Sequence, residues 1–129
     1  EMSDDANKYR VEVRAEPAYL EDQSAPNDNR YVFAYTITIR NTGTVAARLI
    51  SRHWLIVDAN GQEREVRGEG VVGEQPYLPP GGLFRYTSGA LLETPVGSMR
   101  GSYRMLADDG RSFDAPIPVF TLAMPRTLH

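Results

Sequence analysis

The stretch YVFAYTITIR, residues 31–40, alternates between two kinds of side chain. Its odd positions are all large and apolar: Tyr31, Phe33, Tyr35, Ile37 and Ile39. Its even positions carry smaller or polar residues. Successive side chains of a β-strand point to opposite faces, and aromatic and β-branched residues favour strands. We therefore predict a strand over residues 31–40 whose odd-numbered face lies in the core.

Shorter patterns of the same type predict more strands. They lie at residues 9–15, 83–88, 102–107 and 112–122. Residues 21–29 and 94–97 consist mostly of turn-forming residues and predict loops. Pro116 and Pro118 indicate that the last strand lies at a sheet edge, because proline lacks the N–H group that a ladder needs.

Residues 44–58 fit either a helix or two strands. Their apolar residues form a tolerable helical stripe, whereas residues 47–50 and 53–57 fit strands that meet at a kink at Ser51. Periodicity by itself leaves both structures open. In either one we expect the only tryptophan, Trp54, to lie in the core.

The turn signals after residue 58 favour the strands. Asn60-Gly61 is a hairpin dipeptide, and residues 62–67 fit the returning strand. Residues 68–82 contain five glycines and three prolines, which exclude a helix or a central strand there. They also include apolar side chains, so we predict a long, ordered loop. About seven to eight short antiparallel strands without a helix predict an all-β sandwich.

The composition is that of one globular domain. The chain has 129 residues, 41% hydrophobic and 24% charged, with a net charge of −3. We assign residues 9–122 to the domain, residues 1–8 to a disordered tail and residues 123–129 to a C-terminal tail. The weak charge argues against a nucleic-acid partner, and no apolar run approaches the roughly 20 residues of a membrane span. The absence of cysteine and of an apolar leader predicts a cytoplasmic location without disulfides.

Gly68, Gly70 and Gly73 form a GxGxxG pattern. A dinucleotide-binding fold would need a helix directly after it, and the prolines that follow exclude that helix. Two interpretations stay open. The backbone N–H groups could bind a small anion with help from Arg64 and Arg67, or the glycines could only supply positive φ angles in a bent loop.

The sequence predicts no metal site and no cofactor. A metal needs converging imidazole or carboxylate ligands. His53 lies within an apolar strand and His129 at the end of the chain. Asp108, Asp109 and Asp114 are the densest carboxylates, but Asp-Asp-Gly is typical of a hairpin turn.

A nucleophilic triad is not predicted either. It would have to combine His53 with a distant serine such as Ser88 or Ser98, and neither serine lies in a GxSxG motif. We therefore expect that the protein is not an enzyme.

Four separated blocks resemble the ApaG family in sequence and in order. They are RHWLI at residues 52–56, GEGVVGEQPYLPPGGLFRYTSG at 68–89, TPVGSMRGSY at 94–103 and IPVF at 117–120. The resemblance covers roughly residues 9–122. It implies a fibronectin-III-like β-sandwich, with residues 44–58 as β-structure, and it matches Gly68, Gly70 and Gly73 to a family motif that has been likened to pyrophosphate-binding loops.

The resemblance also implies a function. Bacterial members of the family are associated with cobalt tolerance and magnesium efflux, and related domains in eukaryotic F-box proteins and in a polymerase-delta-interacting protein look like interaction modules. We therefore expect a non-enzymatic binding module that acts as an accessory in Mg²⁺ and Co²⁺ homeostasis.

Its expected partner is a protein, docked on a strand edge or on the 68–82 loop. Tyr77, Leu78 and Phe84 are candidate contacts if they are exposed. The alternative is binding of pyrophosphate or a nucleotide at the glycine pattern. The sequence predicts neither the identity of the partner nor the oligomeric state.

Overall fold

The structure, a computed structural model, describes residues 7–126. Within them the chain forms eight strands: β1 (Val11–Tyr19), β2 (Tyr31–Asn41), β3 (Ala47–Asp58), β4 (Glu63–Glu69), β5 (Tyr77–Leu78), β6 (Leu83–Leu92), β7 (Val96–Ala107) and β8 (Ser112–Ala123). They build two antiparallel sheets, with the strand orders β1-β2-β6 and β4-β3-β7-β8, and β5 pairs with β3. This arrangement confirms the predicted all-β sandwich.

β2 lies in the middle of the three-stranded sheet, as its alternation predicts. Four of its five large odd-numbered side chains are buried and the first is partly buried. The facing sheet completes the core with Leu49, Trp54, Met99, Tyr103, Met105 and Leu122. The rings of Tyr35 and Trp54 meet edge to face with 5.3 Å between their centroids. Trp54 is therefore a core residue, as predicted.

β3 is one strand with an irregularity at the predicted kink. Its register with β7 shifts between Leu49 and Ser51, so Ile50 is an extra residue with no partner on β7. The buried positions are odd-numbered up to Leu49 and even-numbered from there on, which places Trp54 and also Arg52 on the inner face.

Several predicted boundaries are wrong. β1 continues through Pro17 to Tyr19, because the N–H that proline lacks would face away from β2 and no ladder bond is lost. β6 continues to Leu92. β7 begins at Val96, within the predicted 94–97 loop, because that segment pairs with the end of β8.

The predicted loops also contain more regular structure than expected. Gly68 and Glu69 belong to β4, and the 68–82 segment contains β5. The loop after β1 contains two 3-10 helices, Glu21–Gln23 and Pro26–Asp28. In β4 and β5, pairing with β3 outweighs the local preference for turns. The two 3-10 helices are closed by hydrogen bonds within the loop itself.

The two long sides of the sandwich differ. On one side β1 packs along β8, and we call it the closed side. On the other side lie the edge strands β4 and β6, and we call it the open side. Among the described residues these two strands lack comparable packing. Arg64 of β4 joins them by donating from Nη2 to the Leu91 carbonyl oxygen of β6 at 3.1 Å.

The predicted tails lie mostly outside the described residues, at positions 1–6 and 127–129, and so does His129. Next to them, the carbonyl oxygens of Asn7 and Lys8 accept hydrogen bonds from the Thr44 N–H, and the Met124 N–H donates to Pro95. Within residues 7–126 no helix has the length and apolar character needed to cross a membrane.

Candidate functional site

The glycine pattern ends in a tight hairpin turn at residues 71–74, which we call the 71–74 turn. The Val71 N–H donates to the Glu74 carbonyl oxygen at 2.8 Å, and the Glu74 N–H donates back at 2.9 Å. Both central residues have positive φ, 46° at Val72 and 80° at Gly73. Positive φ at both positions is typical of a type I′ turn. It is unfavourable for a β-branched residue, so Val72 is strained.

Two of the glycines leave room for specific neighbours. A Cβ on Gly68 would lie 2.7 Å from the guanidinium carbon of Arg52, which crosses over it. A Cβ on Gly70 would overlap the carbonyl oxygen of Glu74, and Gly70 has a φ of 63°. Gly70 is therefore required by the fold of the backbone, whereas Gly68 is required only by the present position of the Arg52 side chain.

Arg64 and Arg67, the predicted anion-binding arginines, do not converge on the turn. They lie on opposite faces of β4 because their positions differ by an odd number. Arg64 reaches the Leu91 carbonyl oxygen on β6, and Arg67 donates from Nε to Glu65 Oε1 at 3.1 Å. The structure thus brings together the three glycines of the prediction but not its two arginines.

A cavity of about 320 Å³ opens between the 71–74 turn and β6. We call it the turn pocket. Its lining residues come from β2, β3, the end of β4, the turn and β6: Tyr35, Arg52, Trp54, Glu69, Val71, Val72, Gly73, Tyr86 and Ser88. Most of its aromatic lining is buried core, so the pocket is an opening from the surface to the aromatic part of the core.

Arg52 is held in place at this pocket. Its Nη1 donates to the carbonyl oxygens of Glu69 and Gly70, at 3.0 and 2.9 Å. Its neighbour across the strand pair is Gly68, whose missing side chain gives the guanidinium its space. A cation placed on the inner face of a strand is costly unless its donors are paired. The two carbonyl oxygens accept the hydrogen bonds of one guanidinium nitrogen, Nη1.

Beside Arg52 two buried tyrosines share one hydrogen bond. The hydroxyl oxygens of Tyr86 and Tyr103 are 2.5 Å apart. Burial raises the pKa of Tyr86 to about 12, against smaller opposing effects of the hydrogen bond with Tyr103 and of the Arg52 charge. Burial also raises the pKa of Tyr103, which is fully buried. Both hydroxyls therefore stay protonated near neutral pH.

The second notable feature is the free edge of β6. The Asn41 N–H donates to the Gly82 carbonyl oxygen just before β6. In an antiparallel pair such bonds recur at every second residue, so the even-numbered residues of β6 form the backbone hydrogen bonds with β2. The odd-numbered residues turn their N–H and C=O groups away from β2: Leu83, Arg85, Thr87, Gly89 and Leu91. The register shows no shift along the ten residues of β6. The Leu91 carbonyl oxygen is the one that Arg64 reaches.

Similarity to known proteins agrees with this fold. The model of the ApaG domain family matches residues 21–107. The chain belongs to the ApaG family. It is 68% identical over 121 residues to Protein ApaG of Azoarcus sp. strain BH72, covering 94% of this chain and 95% of that protein. Protein ApaG of Thiobacillus denitrificans is 62% identical over 125 residues, or 97% and 98% of the two chains.

A solved ApaG-like structure has the same architecture. The crystal structure of a Bordetella pertussis protein described as ApaA superposes with a TM-score of 0.91 at 51% sequence identity, covering 94% of this chain and 98% of that one. The fold is the fibronectin-III-like sandwich that the resemblance implied. None of these three ApaG family relatives is named for a reaction.

The residues considered for catalysis lie apart in this ApaG family member. His53 is on the outer face of β3, with Nε2 3.3 Å from Glu65 Oε2. Ser88 lines the turn pocket on the inner side. Ser98 pairs with Val57, several residues away from His53 along β3. Among residues 7–126 no three His, Asp or Glu side chains are grouped so that they could hold a metal ion.

The aspartates have structural partners. Asp108 and Asp109 occupy the hairpin turn between β7 and β8, where Gly110 has a φ of 89°. Asp108 accepts a hydrogen bond from the Tyr77 hydroxyl. Asp114 lies 2.9 Å from Arg104 Nε. Asp109 accepts a hydrogen bond from the Tyr9 hydroxyl. Each of these three aspartates therefore has a partner within the folded domain.

The predicted contact residues differ in exposure. Tyr77 is exposed, Leu78 is buried in the core and Phe84 is partly buried against it. Only Tyr77 meets the condition of exposure. Sequence reasoning missed Arg52 and Tyr86. For Arg52 the sequence contains a signal: after the predicted kink it shares the strand face of Trp54, so a charged side chain is expected next to the core.

Proposed function

We propose that this ApaG family member is a non-enzymatic binding module that takes up an extended segment of a partner protein as an added strand along β6. The observation that carries the proposal is the regular row of outward N–H and C=O groups on that strand. Such an edge binds extended peptides through main-chain hydrogen bonds.

The comparison with the other sheet edges supports this proposal. Proteins commonly protect edges with proline, charge or shortness. Pro17 in β1 and Pro116 in β8 each remove an N–H that would face outward. β4 is shorter and carries charged side chains at its outward positions, Glu63, Glu65, Arg67 and Glu69. β6 has ten residues, no proline and a single charged residue, Arg85.

The side chains next to this edge favour an extended segment with apolar residues. Leu83 and Leu91 stand near the two ends of β6 and are 50% and 39% exposed. Gly89 leaves the backbone open to close approach, because a Cβ there would meet only one atom within 4 Å. A partner strand can therefore form hydrogen bonds along the middle of β6 and bury apolar side chains against both leucines.

The test uses the absence of cysteine from the chain. Arg85→Cys and, on the closed side, Arg14→Cys each receive a short photocrosslinker on the thiol. In cells of the source organism we expect Arg85→Cys to crosslink one defined protein and Arg14→Cys to leave it uncrosslinked. Purified partner is then mixed with the unlabelled protein, and exchange protection of the Arg85, Thr87 and Gly89 amides is measured.

A matched pair of variants distinguishes strand addition from any other contact. Arg85→Pro removes one outward N–H without breaking the β2 ladder, whereas Arg85→Thr removes the same charge and keeps the N–H. We expect Arg85→Thr to bind the partner and Arg85→Pro to lose about tenfold in affinity. Equal binding by both variants, or a β6-to-β6 dimer of this chain in light scattering, would contradict the proposal.

We further propose that the partner protein takes part in Mg²⁺ and Co²⁺ homeostasis. The support is the family association that the sequence resemblance implies. In a strain without its own copy of the protein, Arg85→Thr should restore Co²⁺ tolerance, whereas Arg85→Pro should not. Restored tolerance with both variants would separate the metal phenotype from the β6 edge.

Anion binding at the glycine pattern is the second candidate function. One observation favours it: the Val72 and Gly73 N–H groups donate to no other described residue. Neighbouring N–H groups in a turn can bind an anion. In an NMR titration with pyrophosphate or ATP, the amide signals of Val72 and Gly73 should then move the most and saturate. Unchanged signals would exclude this function.

A further inference from the structure

The turn pocket contains polar groups that the proposed strand addition does not use. The added strand needs the outward backbone of β6, whereas Arg52, Tyr86 and Ser88 line the pocket on the inner side. The pocket volume of about 320 Å³ lies at the lower end of the range for small-molecule sites. The hydrogen bonds of its buried groups show what it can bind.

The tyrosine pair has one O–H proton more than it has acceptors among the described residues. Two hydroxyls supply two protons, and the bond between Tyr86 and Tyr103 uses one. Tyr103 is completely buried and Tyr86 is 7% exposed and lines the pocket. Leaving the spare proton on Tyr103 would bury it without an acceptor, which is costly. Tyr103 is therefore the donor, and the proton of Tyr86 is available to the pocket.

The pocket thus offers hydrogen-bond donors beside a fixed positive charge. Arg52 uses Nη1 for both of its bonds to backbone carbonyl oxygens of described residues. The Ser88 hydroxyl lies on the same lining. Tyr35 and Trp54 form an aromatic wall next to these groups. Donors on one side and aromatic rings on the other suit a ligand with an anionic head and an apolar body.

We propose that the turn pocket binds a small-molecule carboxylate, with Arg52 and the Tyr86 hydroxyl donating to the carboxylate and Tyr35 and Trp54 packing against its apolar body. A single guanidinium matches a carboxylate in charge and geometry. A phosphate dianion would bring a second negative charge that this one guanidinium does not balance.

Trp54 gives the experiment its signal, because it is the only tryptophan and its buried ring lines the pocket. Benzoate is the probe, benzamide its neutral counterpart, and inorganic phosphate the competing anion. We expect benzoate to change Trp54 emission in a saturable way and to move the amide signal of Ser88. Benzamide and phosphate should do neither. The affinity for benzoate should stay constant from neutral pH to near pH 10, because Tyr86 keeps its proton.

The variants assign the binding to the named groups. Tyr86→Phe removes one hydroxyl and should weaken benzoate binding about tenfold. Arg52→Gln should weaken it more, and if that variant does not fold, Tyr86→Phe carries the test. Arg14→Gln removes one charge on the closed side and should bind like the wild type.

Three results would overturn this inference: equal binding of benzoate and benzamide, tighter binding of phosphate, or unchanged affinity in Tyr86→Phe. A tripeptide with a free C-terminus that binds more tightly than benzoate, while its amidated form does not bind, would overturn the small-molecule assignment and assign the carboxylate to a protein chain end. Arg85→Pro should leave benzoate binding intact, because the turn pocket and the β6 edge use different groups. The two proposals can therefore fail separately.

Discussion

The closed and open sides of the sandwich differ in how their edge strands are covered. On the closed side β1 and β8 pack along each other, and each has a proline whose missing N–H faces outward. On the open side Arg64 bridges β4 and β6, and the space beyond it contains the turn pocket. The two edge strands of the first side pack on each other, whereas β6 on the second side keeps a regular row of outward N–H and C=O groups.

This difference shows how one small domain can combine a packed scaffold with the binding surface that we propose on β6. Strained backbone, exposed apolar side chains and free edge groups all cost stability. Here Val72, Leu91 and the β6 edge occur on the open side, next to the buried aromatic part of the core. The following predictions test whether the two sides differ in energy as they differ in structure.

The largest expected effect comes from one pair of leucines. Leu122 of β8 is fully buried and Leu91 of β6 is 39% exposed. Leu122→Ala should lower the free energy of unfolding by about 2–5 kcal/mol because it leaves a cavity. Leu91→Ala should change it by no more than about 0.5 kcal/mol, as at a surface position. Chemical denaturation measures both values, and similar losses would mean that the Leu91 side chain is packed as tightly as the Leu122 side chain.

The next effect is a gain in stability. Val72→Asn should raise the free energy of unfolding by about 1 kcal/mol, because asparagine tolerates the left-handed conformation that strains valine. Val96 of β7, also an exposed valine, is not among the described residues with positive φ. Val96→Asn is therefore the control and should be neutral or slightly destabilising. If Val72→Asn is no more stable than the wild type, the turn stores no strain.

The smallest effect concerns pH. The hydrogen bond from Arg67, and after it the His53 imidazole 3.3 Å away, hold the pKa of Glu65 below its ordinary value of 4.5. A carboxyl group whose pKa is lowered by folding stabilises the protein above its unfolded pKa and loses that contribution as the pH falls through the folded pKa. Between pH 6 and acidic pH, Glu65→Gln should therefore lose slightly less stability than the wild type.

The control for this measurement is Glu63→Gln on the same strand, which removes the same charge and shows no ion pair among the described residues. Thermal melting across the pH range compares the three proteins. Identical pH profiles for Glu65→Gln and Glu63→Gln would mean that the Glu65 contacts make no measurable contribution to stability. Many exposed ion pairs make none.

Local pattern predicted most of the scaffold. The alternation in residues 31–40 identified β2 and its buried face, and Asn60-Gly61 identified the hairpin between β3 and β4. The boundaries of β1 and β7 were missed because distant partners determine them. Pro17 is tolerated only because of the direction that its nitrogen faces, and Val96 is a strand residue only because β8 lies beside it.

The candidate site was less predictable. The glycine pattern was found, and its alternative interpretation as a source of positive φ applies to Gly70 and Gly73. The role of Gly68 could not be predicted, since it depends on Arg52 lying opposite it across the strand pair. The free edge of β6 likewise follows from the strand order of the sheet, which no local pattern contains.

The extra residue in β3, Ile50, helps to hold the segment that forms the turn pocket. Ile50 has no partner on β7, but its carbonyl oxygen accepts hydrogen bonds from the Gly70 N–H at 2.8 Å and from Gln75 Nε2 at 2.9 Å. A deletion of Ile50 would leave the remaining residues of β3 opposite their present partners on β7. The glycine segment would lose these two hydrogen bonds to β3. A shortened homologue could thus inherit the sandwich without the pocket, and alignment gaps at this position would identify such proteins.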